Sequence, residues 1–183
     1  MAEFFEALTA DHRDFIARQP VFFVATASPE ARINLSPKGM DCFRVLDDSR
    51  VGYLDVGGSG NETQAHLNAD GRATLMFCAF DRAALILRLY GRGRAVLPQD
   101  AGWEALAASF TVLPGTRQIF EFELESVQTS CGWGVPLMTF ERERQTLSRY
   151  HGAISEADRL ARAANRTRSI DGLPVRVQTR VPS

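Results

Sequence analysis

The alternation of apolar and polar positions divides the chain into a strand-rich body and a charged, helix-prone end. Thr9 to Gln19 reads as a helix: Thr9 suits the N-cap, Asp11 puts an acid in the first turn, and Phe15 and Ile16 supply an apolar face. Pro20 disfavours helical geometry at Gln19 and ends the helix there. Val21 to Thr26 is β-branched and aromatic, Ser28-Pro29-Glu30 turns, and Arg32 to Ser36 alternates, so a hairpin is expected. Pro37 and Gly39 are expected to interrupt that ladder as a bulge or strand end. Cys42 to Leu46, Val51 to Val56, Arg72 to Phe80 and Ala84 to Leu97 follow as strands, and Gly91 and Gly93 predict a sharply coiled or bulged course in the last of them. A short helix is expected over Asp100 to Phe110 and a long final strand over Arg117 to Thr129. Glu141 to Tyr150 and Ser155 to Ala164 are helix-prone, and the tail after Asn165 has little periodicity.

Six or seven strands joined mostly by tight turns must pair antiparallel. With few places to leave an edge open, they suggest a closed or partly closed barrel with helices at its periphery. Residues 1–140 form this body in the expected division, and 141–183 form a helical segment and tail that pack on the barrel or on a partner subunit.

Composition narrows the function classes. The chain has 183 residues and a net charge of −1, which gives no electrostatic footprint for nucleic acid or an anionic membrane surface. No apolar run approaches the ~18 residues of a membrane span. The acidic N-terminus lacks the basic region of a secretory signal, so a cytoplasmic protein is expected. Cys42, Cys78 and Cys131 are widely spaced and odd in number, which argues against a disulfide framework or a thiolate zinc site. Cys42 and Cys78 read as small buried hydrophobes, and Cys131, with no basic neighbour in sequence, as a packing residue rather than a redox thiol. His12, His66 and His151 are scattered, and no metal is expected.

The most informative stretch is Gly57-Gly58-Ser59-Gly60-Asn61-Glu62-Thr63, between the strand Tyr53 to Val56 and a helix from Gln64 to Ala69. Glycines and hydroxyls at a helix N-terminus make a phosphate cradle, because free N–H groups and the positive end of the helix dipole favour an anion. Gly58-x-Gly60-x-x-Thr63 comes within one residue of the dinucleotide fingerprint, with Asp81 downstream. A Rossmann unit is nevertheless disfavoured. The third glycine is absent, the strand is the fourth rather than the first, and the next strand turns into another strand. A Walker A loop is excluded by the absence of Gly-Lys-Ser/Thr. The competing reading is a plain turn whose Asn61 or Thr63 caps the helix.

Tyr53-Leu54-Asp55, Gly57 to Leu67, Asn68 to Phe77 and Leu87 to Gly93, together with Ala25-Thr26, Asn34 to Gly39 and Ser130 to Pro136, resemble the pyridoxamine 5′-phosphate oxidase-related flavin-binding family over roughly residues 20–138. The resemblance implies a mainly β fold, an antiparallel split β-barrel with peripheral helices, that forms a homodimer and binds FMN at the subunit interface. It places Ser59, Gly60, Asn61 and Thr63 on the FMN phosphate, and sets Ser36, Leu54 and Asp55 at strand ends bordering the flavin. An Arg-Lys pair of the oxidase is replaced near Glu62 and Thr63, so another cation must meet the phosphate. Lys38, Arg44, Arg88 and Arg92 are the candidates, with Lys38 foremost. Cys131 and Trp133 lie in a glycine-rich loop, where Trp133 suits a ligand or dimer contact better than a core.

The resulting expectation is an FMN-dependent oxidoreductase using a small-molecule electron donor or acceptor, with no obligatory side-chain acid or base. The substrate motif of vitamin B6 oxidation is not recognisable after residue 138. The alternatives are a flavin protein without turnover, acting as sensor or carrier, and a split barrel holding a deazaflavin or haem.

Overall fold

The computed structural model describes residues 2–182. Strand β1 (Glu3–Phe5) precedes helix α1 (Ala10–Ala17), whose N-cap Thr9 accepts the His12 N–H and whose Phe15 and Ile16 join the core. Strands β2 (Phe22–Thr26), β3 (Asn34–Lys38), β4 (Phe43–Val45), β5 (Arg50–Val56), β6 (Arg72–Cys78), β7 (Leu85–Val96) and β8 (Thr116–Cys131) form one antiparallel sheet in the order β3-β2-β6-β7-β8-β5-β4. Helix α2 (Glu62–Ala69) is inserted between β5 and β6 and packs against β2, β6 and β7, while α3 (Trp103–Ala107) joins β7 to β8.

β8 organises the sheet. Along one edge it pairs with all of β7, from Leu85↔Cys131 to Val96↔Ile119. Along the other, β5 takes its first half, Arg50↔Glu123 to Val56↔Thr116, and β1 its second, beginning at Glu3↔Thr129. Strand twist curls such a sheet on itself, giving the antiparallel split β-barrel. Phe22, Phe43, Tyr53, Phe77, Phe120 and Phe122 fill its interior in stacked, tilted and T-shaped pairs with centroids 5.0–5.9 Å apart. These geometries suit the ring quadrupoles and add to the burial that holds the sheet closed.

The bulge expected from Gly91 and Gly93 is present, with a register shift between Tyr90 and Gly91. A Cβ at Gly91 would collide with the Glu123 carbonyl and one at Gly93 with the Phe122 ring, so both glycines permit the close approach of β7 to β8. β3 ends at Lys38, within the Ser36–Gly39 stretch expected as a bulge or strand end, although Pro37 itself is still paired, opposite Phe23. The reason is that β3 is an edge strand paired only with β2, where a missing N–H need cost no ladder bond. β1 was not anticipated, and α3 is shorter than the segment expected over Asp100 to Phe110.

The C-terminal segment contains α4 (Thr146–Gly152) and α5 (Glu156–Ala164), the latter capped by Ser155, which accepts the Asp158 N–H. Residues 141–145, expected as helix, are not helical. The segment packs on the body of its own chain. His151 Nε2 lies 2.7 Å from the Gly57 carbonyl oxygen, and its ring occupies the space a side chain would need at Gly115, which has φ +87°. Further on, Gln64 accepts the Arg176 N–H at 2.5 Å and donates to the Arg176 carbonyl at 3.2 Å. Gln99 likewise donates to the Val177 carbonyl at 2.8 Å and accepts the Thr179 N–H at 3.3 Å. Backbone pairing through buried or half-buried amides fixes a tail that has no periodicity of its own. Among the described residues no helix is long and apolar enough to cross a membrane.

Candidate functional site

At the open end of the barrel, the C-terminal end of β5, the edge strand β3 and the loop into α2 enclose a cavity of about 300 Å3. At its base is Asp55, only 2% exposed. Its carboxylate accepts from Arg117 Nε at 2.5 Å and Gln118 Nε2 at 2.9 Å, and Lys38 Nζ lies 3.5 Å away. Burial pushes the Asp55 carboxyl up, but the charges of Arg117 and Lys38 and the hydrogen bonds from Arg117 and Gln118 outweigh it, so the group lies below the usual carboxylate range.

A hydrogen-bonded chain lines one wall of the cavity. Ser36 Oγ donates to Asn34 Oδ1 at 3.2 Å, and Asn34 Nδ2 donates at 3.2 Å to both Thr26 Oγ1 and Thr63 Oγ1. Thr26 Oγ1 in turn lies 3.1 Å from His66 Nδ1 in the buried interior. On the opposite wall Gln118 Nε2 also donates to Asn61 Oδ1 at 2.7 Å. Asn61 occupies the N-cap of α2, yet its side chain makes no capping bond because Gln118 holds it. The first-turn N–H groups of α2 therefore have no side-chain acceptor at the cap, and face the cavity with the positive end of the helix.

The charges on this cavity's lining cancel formally, Lys38 and Arg117 against Asp55 and Glu62. Glu62 is turned toward the tail, where both carboxylate oxygens accept the Ile170 N–H at 3.1 and 3.2 Å. Asp171 accepts the Arg32 N–H at 2.9 Å and pairs with Arg32 Nη1 at 3.0 Å. One ligand atom each from Glu62, His66 and Asp171 falls within 4.8 Å of the others. The sequence reading overlooked the Glu62–His66 spacing of one helical turn. Glu62 thereby ties the tail to α2 and Asp171 ties it to Arg32, while the His66 side chain bonds only Thr26 among the described residues.

Of the residues singled out from sequence, Ser36, Lys38, Asp55, Ser59, Gly60, Asn61 and Thr63 line this one cavity. Lys38 reaches it as the partner of Asp55 rather than as an unshared cation. Leu54 is 2% exposed and its side chain belongs to the core, which leaves only its backbone toward the site. Arg44 pairs with Asp41 and stands 5.8 Å over the Phe110 ring. Arg88 donates to Ser130 Oγ at 2.9 Å. Arg92 pairs with Glu125 at 3.2 Å. Cys131 closes the far end of the β7–β8 ladder, opposite Leu85, and Trp133 follows it. Cys131 does not pack as expected: it is exposed, because the sheet ends there. Trp133 is 87% exposed and does not tuck under its own loop. Cys42 and Cys78 are buried as expected, and burial pushes the Cys42 thiol up to about 12, which removes it as a nucleophile at neutral pH.

Sequence reasoning missed Asn34, Arg117 and Gln118. Asn34 carried a signal, since it is a polar residue two positions before Ser36 and so shares its face of the strand. Arg117 and Gln118 carried none, because only the β5–β8 register sets Gln118 beside Asp55.

The family model described as pyridoxamine 5′-phosphate oxidase matches residues 8–131. A pyridoxamine 5′-phosphate oxidase family protein of Aspergillus flavus, ustO, is 37% identical over 194 residues, covering 95% of this chain and 78% of that protein. Among solved structures, a putative pyridoxamine 5′-phosphate oxidase of Lactobacillus delbrueckii superposes with a TM-score of 0.54 at 18% identity, covering 67% of this chain and 94% of the other. An FMN-binding protein of Syntrophomonas wolfei superposes with a TM-score of 0.51 at 14% identity, covering 71% and 85% respectively. The two structural likenesses establish a common fold, and the sequence matches establish descent: the chain belongs to the pyridoxamine 5′-phosphate oxidase family.

Proposed function

We propose that the protein is a homodimeric flavoprotein that holds FMN, with its phosphate in the Gly58–Thr63 cradle, and acts as an oxidoreductase toward a small-molecule donor or acceptor. The observation that carries this reading is the uncapped N-terminus of α2 facing a cavity lined by hydroxyl and amide groups. That donor set fits a phosphoryl group: first-turn N–H groups, the Ser59 and Thr63 hydroxyls, and the Asn61 amide N–H. The Asp55–Lys38–Arg117 cluster holds β3, β5 and β8 in register beneath it. A bound flavin supplies the electron or hydride chemistry, while the protein binds it, orients it and screens it from water. The Syntrophomonas wolfei neighbour described as FMN-binding lends this assignment support.

Purified protein is expected to be yellow or to take up FMN with quenching of its fluorescence, and NAD(P)H is expected to bleach the flavin bands under anaerobic conditions. Protein that ignores added FMN would sink the flavin assignment. Flavin that binds but resists every reductant supplied would leave a carrier in place of an enzyme.

The dimer rests on exposed apolar surface. Trp133, Leu137 and Met138 are 87%, 72% and 63% exposed in the irregular stretch after β8, and Ile33 and Leu35 project from the β2–β3 hairpin and the edge strand. Exposed apolar side chains in such number suit an association surface. Leu137→Asp combined with Met138→Asp is expected to convert a dimer to a monomer in light scattering and to weaken FMN by about tenfold or more. An unchanged dimer would place the interface elsewhere.

A further inference from the structure

A second cavity, of about 340 Å3, opens on the other side of the phosphate loop. Gly58, Ser59, Asn61 and Arg117 line both cavities, so the loop is the wall between them. The second cavity differs sharply in charge. Arg117, Arg159, Arg162, Arg166 and Arg176 line it, and no described acidic residue does. Arg176 is paired with Asp100, and Arg117 shares the single Asp55 carboxylate with Lys38. Arg159, Arg162 and Arg166 have no carboxylate partner among the described residues.

What these three do contact is neutral. Arg166 donates to the Gly58 carbonyl, Arg162 to the Tyr150 hydroxyl at 2.6 Å, and Arg159 to the His151 carbonyl at 3.5 Å. Arg159 Nε is buried with no acceptor at all. A buried orphan donor on a charged group costs free energy unless something outside the chain satisfies it. The spacing of 159, 162 and 166 sets the three guanidinium groups along one face of α5 and the turn after it. Like charges brought together in this way repel, and the arrangement is favourable only toward an anion. Leu97, Leu147, Ile154 and Val177 supply apolar walls beside them, so the matching ligand combines several negative charges with a flat or apolar body. Arg159, Arg162, Arg166 and Arg176 all lie beyond residue 131, where the family model ends.

We propose that this cavity binds a phosphorylated nucleoside, with its phosphates against Arg159, Arg162 and Arg166 and its base against the apolar wall. The assignment rests on the flavin reading only for what lies across the loop. Because the wall is shared, such a nucleotide would sit next to the phosphate of a flavin in the cradle. The same chemistry is offered by the ADP half of a nicotinamide dinucleotide and by the adenylate half of FAD.

Calorimetric titration of ADP into FMN-loaded protein tests it. ADP is expected to bind with a dissociation constant below about 1 mM. Arg162→Ala, an exposed position, is expected to weaken it by about tenfold while FMN affinity and thermal midpoint stay within about twofold and about 2 °C of wild type. Arg159→Gln serves as a second variant with the same expectation. Simultaneous binding of ADP and FMN, with FAD no tighter than FMN, identifies a separate nucleotide substrate. FAD that binds at least about tenfold tighter than FMN and displaces ADP identifies a dinucleotide flavin. Failure of ADP to bind, or inorganic phosphate competing as well as ADP does, overturns the proposal. If ADP binds and no flavin does, the flavin assignment fails and the nucleotide cavity stands.

Discussion

Asp55→Ala is expected to remove a large share of the protein's stability, about 3–5 kcal/mol at neutral pH, out of roughly 5–15 kcal/mol typical of a domain. The carboxylate is 2% exposed and is shared by Arg117, Gln118 and Lys38. Its loss leaves a guanidinium and an ammonium half-buried without a counter-charge between β3, β5 and β8. Urea unfolding measures the effect, and Asp55→Asn, which keeps the volume, separates charge from packing. The native carboxyl lies below its ordinary value, so the stability it confers is fully present above the unfolded value of about 3.9 and is lost as pH falls through the lower native one. The difference between wild type and Asp55→Asn should therefore be constant from neutral pH to about 4 and shrink only below that. A difference that does not change down to about pH 2.5 would show that the ion pairs are not its source.

Ser59→Asp is expected to weaken FMN by about a hundredfold at low ionic strength while leaving the fold intact. Ser59 is exposed on the loop that separates the two cavities, so substitution there should change stability by no more than about 0.5 kcal/mol. A carboxylate about 4 Å from a phosphate costs up to about 4 kcal/mol per charge pair at an effective dielectric constant of 20, and solvent screening reduces this to roughly 3 kcal/mol. The electrostatic origin makes two further demands. The loss should diminish as salt is raised, and Ser59→Lys should tighten FMN rather than weaken it. Fluorescence titration of the three proteins decides the matter: equal affinities would remove the Gly58–Thr63 loop from the flavin site.

Local physical signals carried far in this chain. Thr9 caps α1, the Gly91–Gly93 pair bulges β7 against β8, and Ser155 caps α5. In each case a residue within a few positions determines the geometry. Other features were decided by a neighbour distant in sequence. The strand end expected over Ser36–Gly39 is present, but Pro37 itself stays paired, because the rule that excludes proline from sheets depends on whether the strand is central or at the edge, and the sheet order alone says that. Asn61 was weighed as a helix cap, but Gln118, 57 positions away, takes its side chain and leaves the helix end open. Lys38 is the foremost of four candidate cations in the sequence, and only the fold shows that it shares Asp55, 17 positions on, with Arg117.

The sequence by itself determined the antiparallel strand-rich body, the glycine-rich turn before a helix, and the segment of that turn which faces a cavity. These follow from side-chain alternation and backbone freedom, which are properties of neighbouring residues. Only the tertiary structure decided where the charge lies. Pairing across β3, β5 and β8 sets the two cations nearest the cradle, Lys38 and Arg117, on one shared carboxylate. The packing of α4, α5 and the tail on the barrel assembles arginines without carboxylate partners among the described residues on its other side. Charge acts through space and is screened or paired by whatever folding brings near, so a list of cations along the chain holds no record of which remain available.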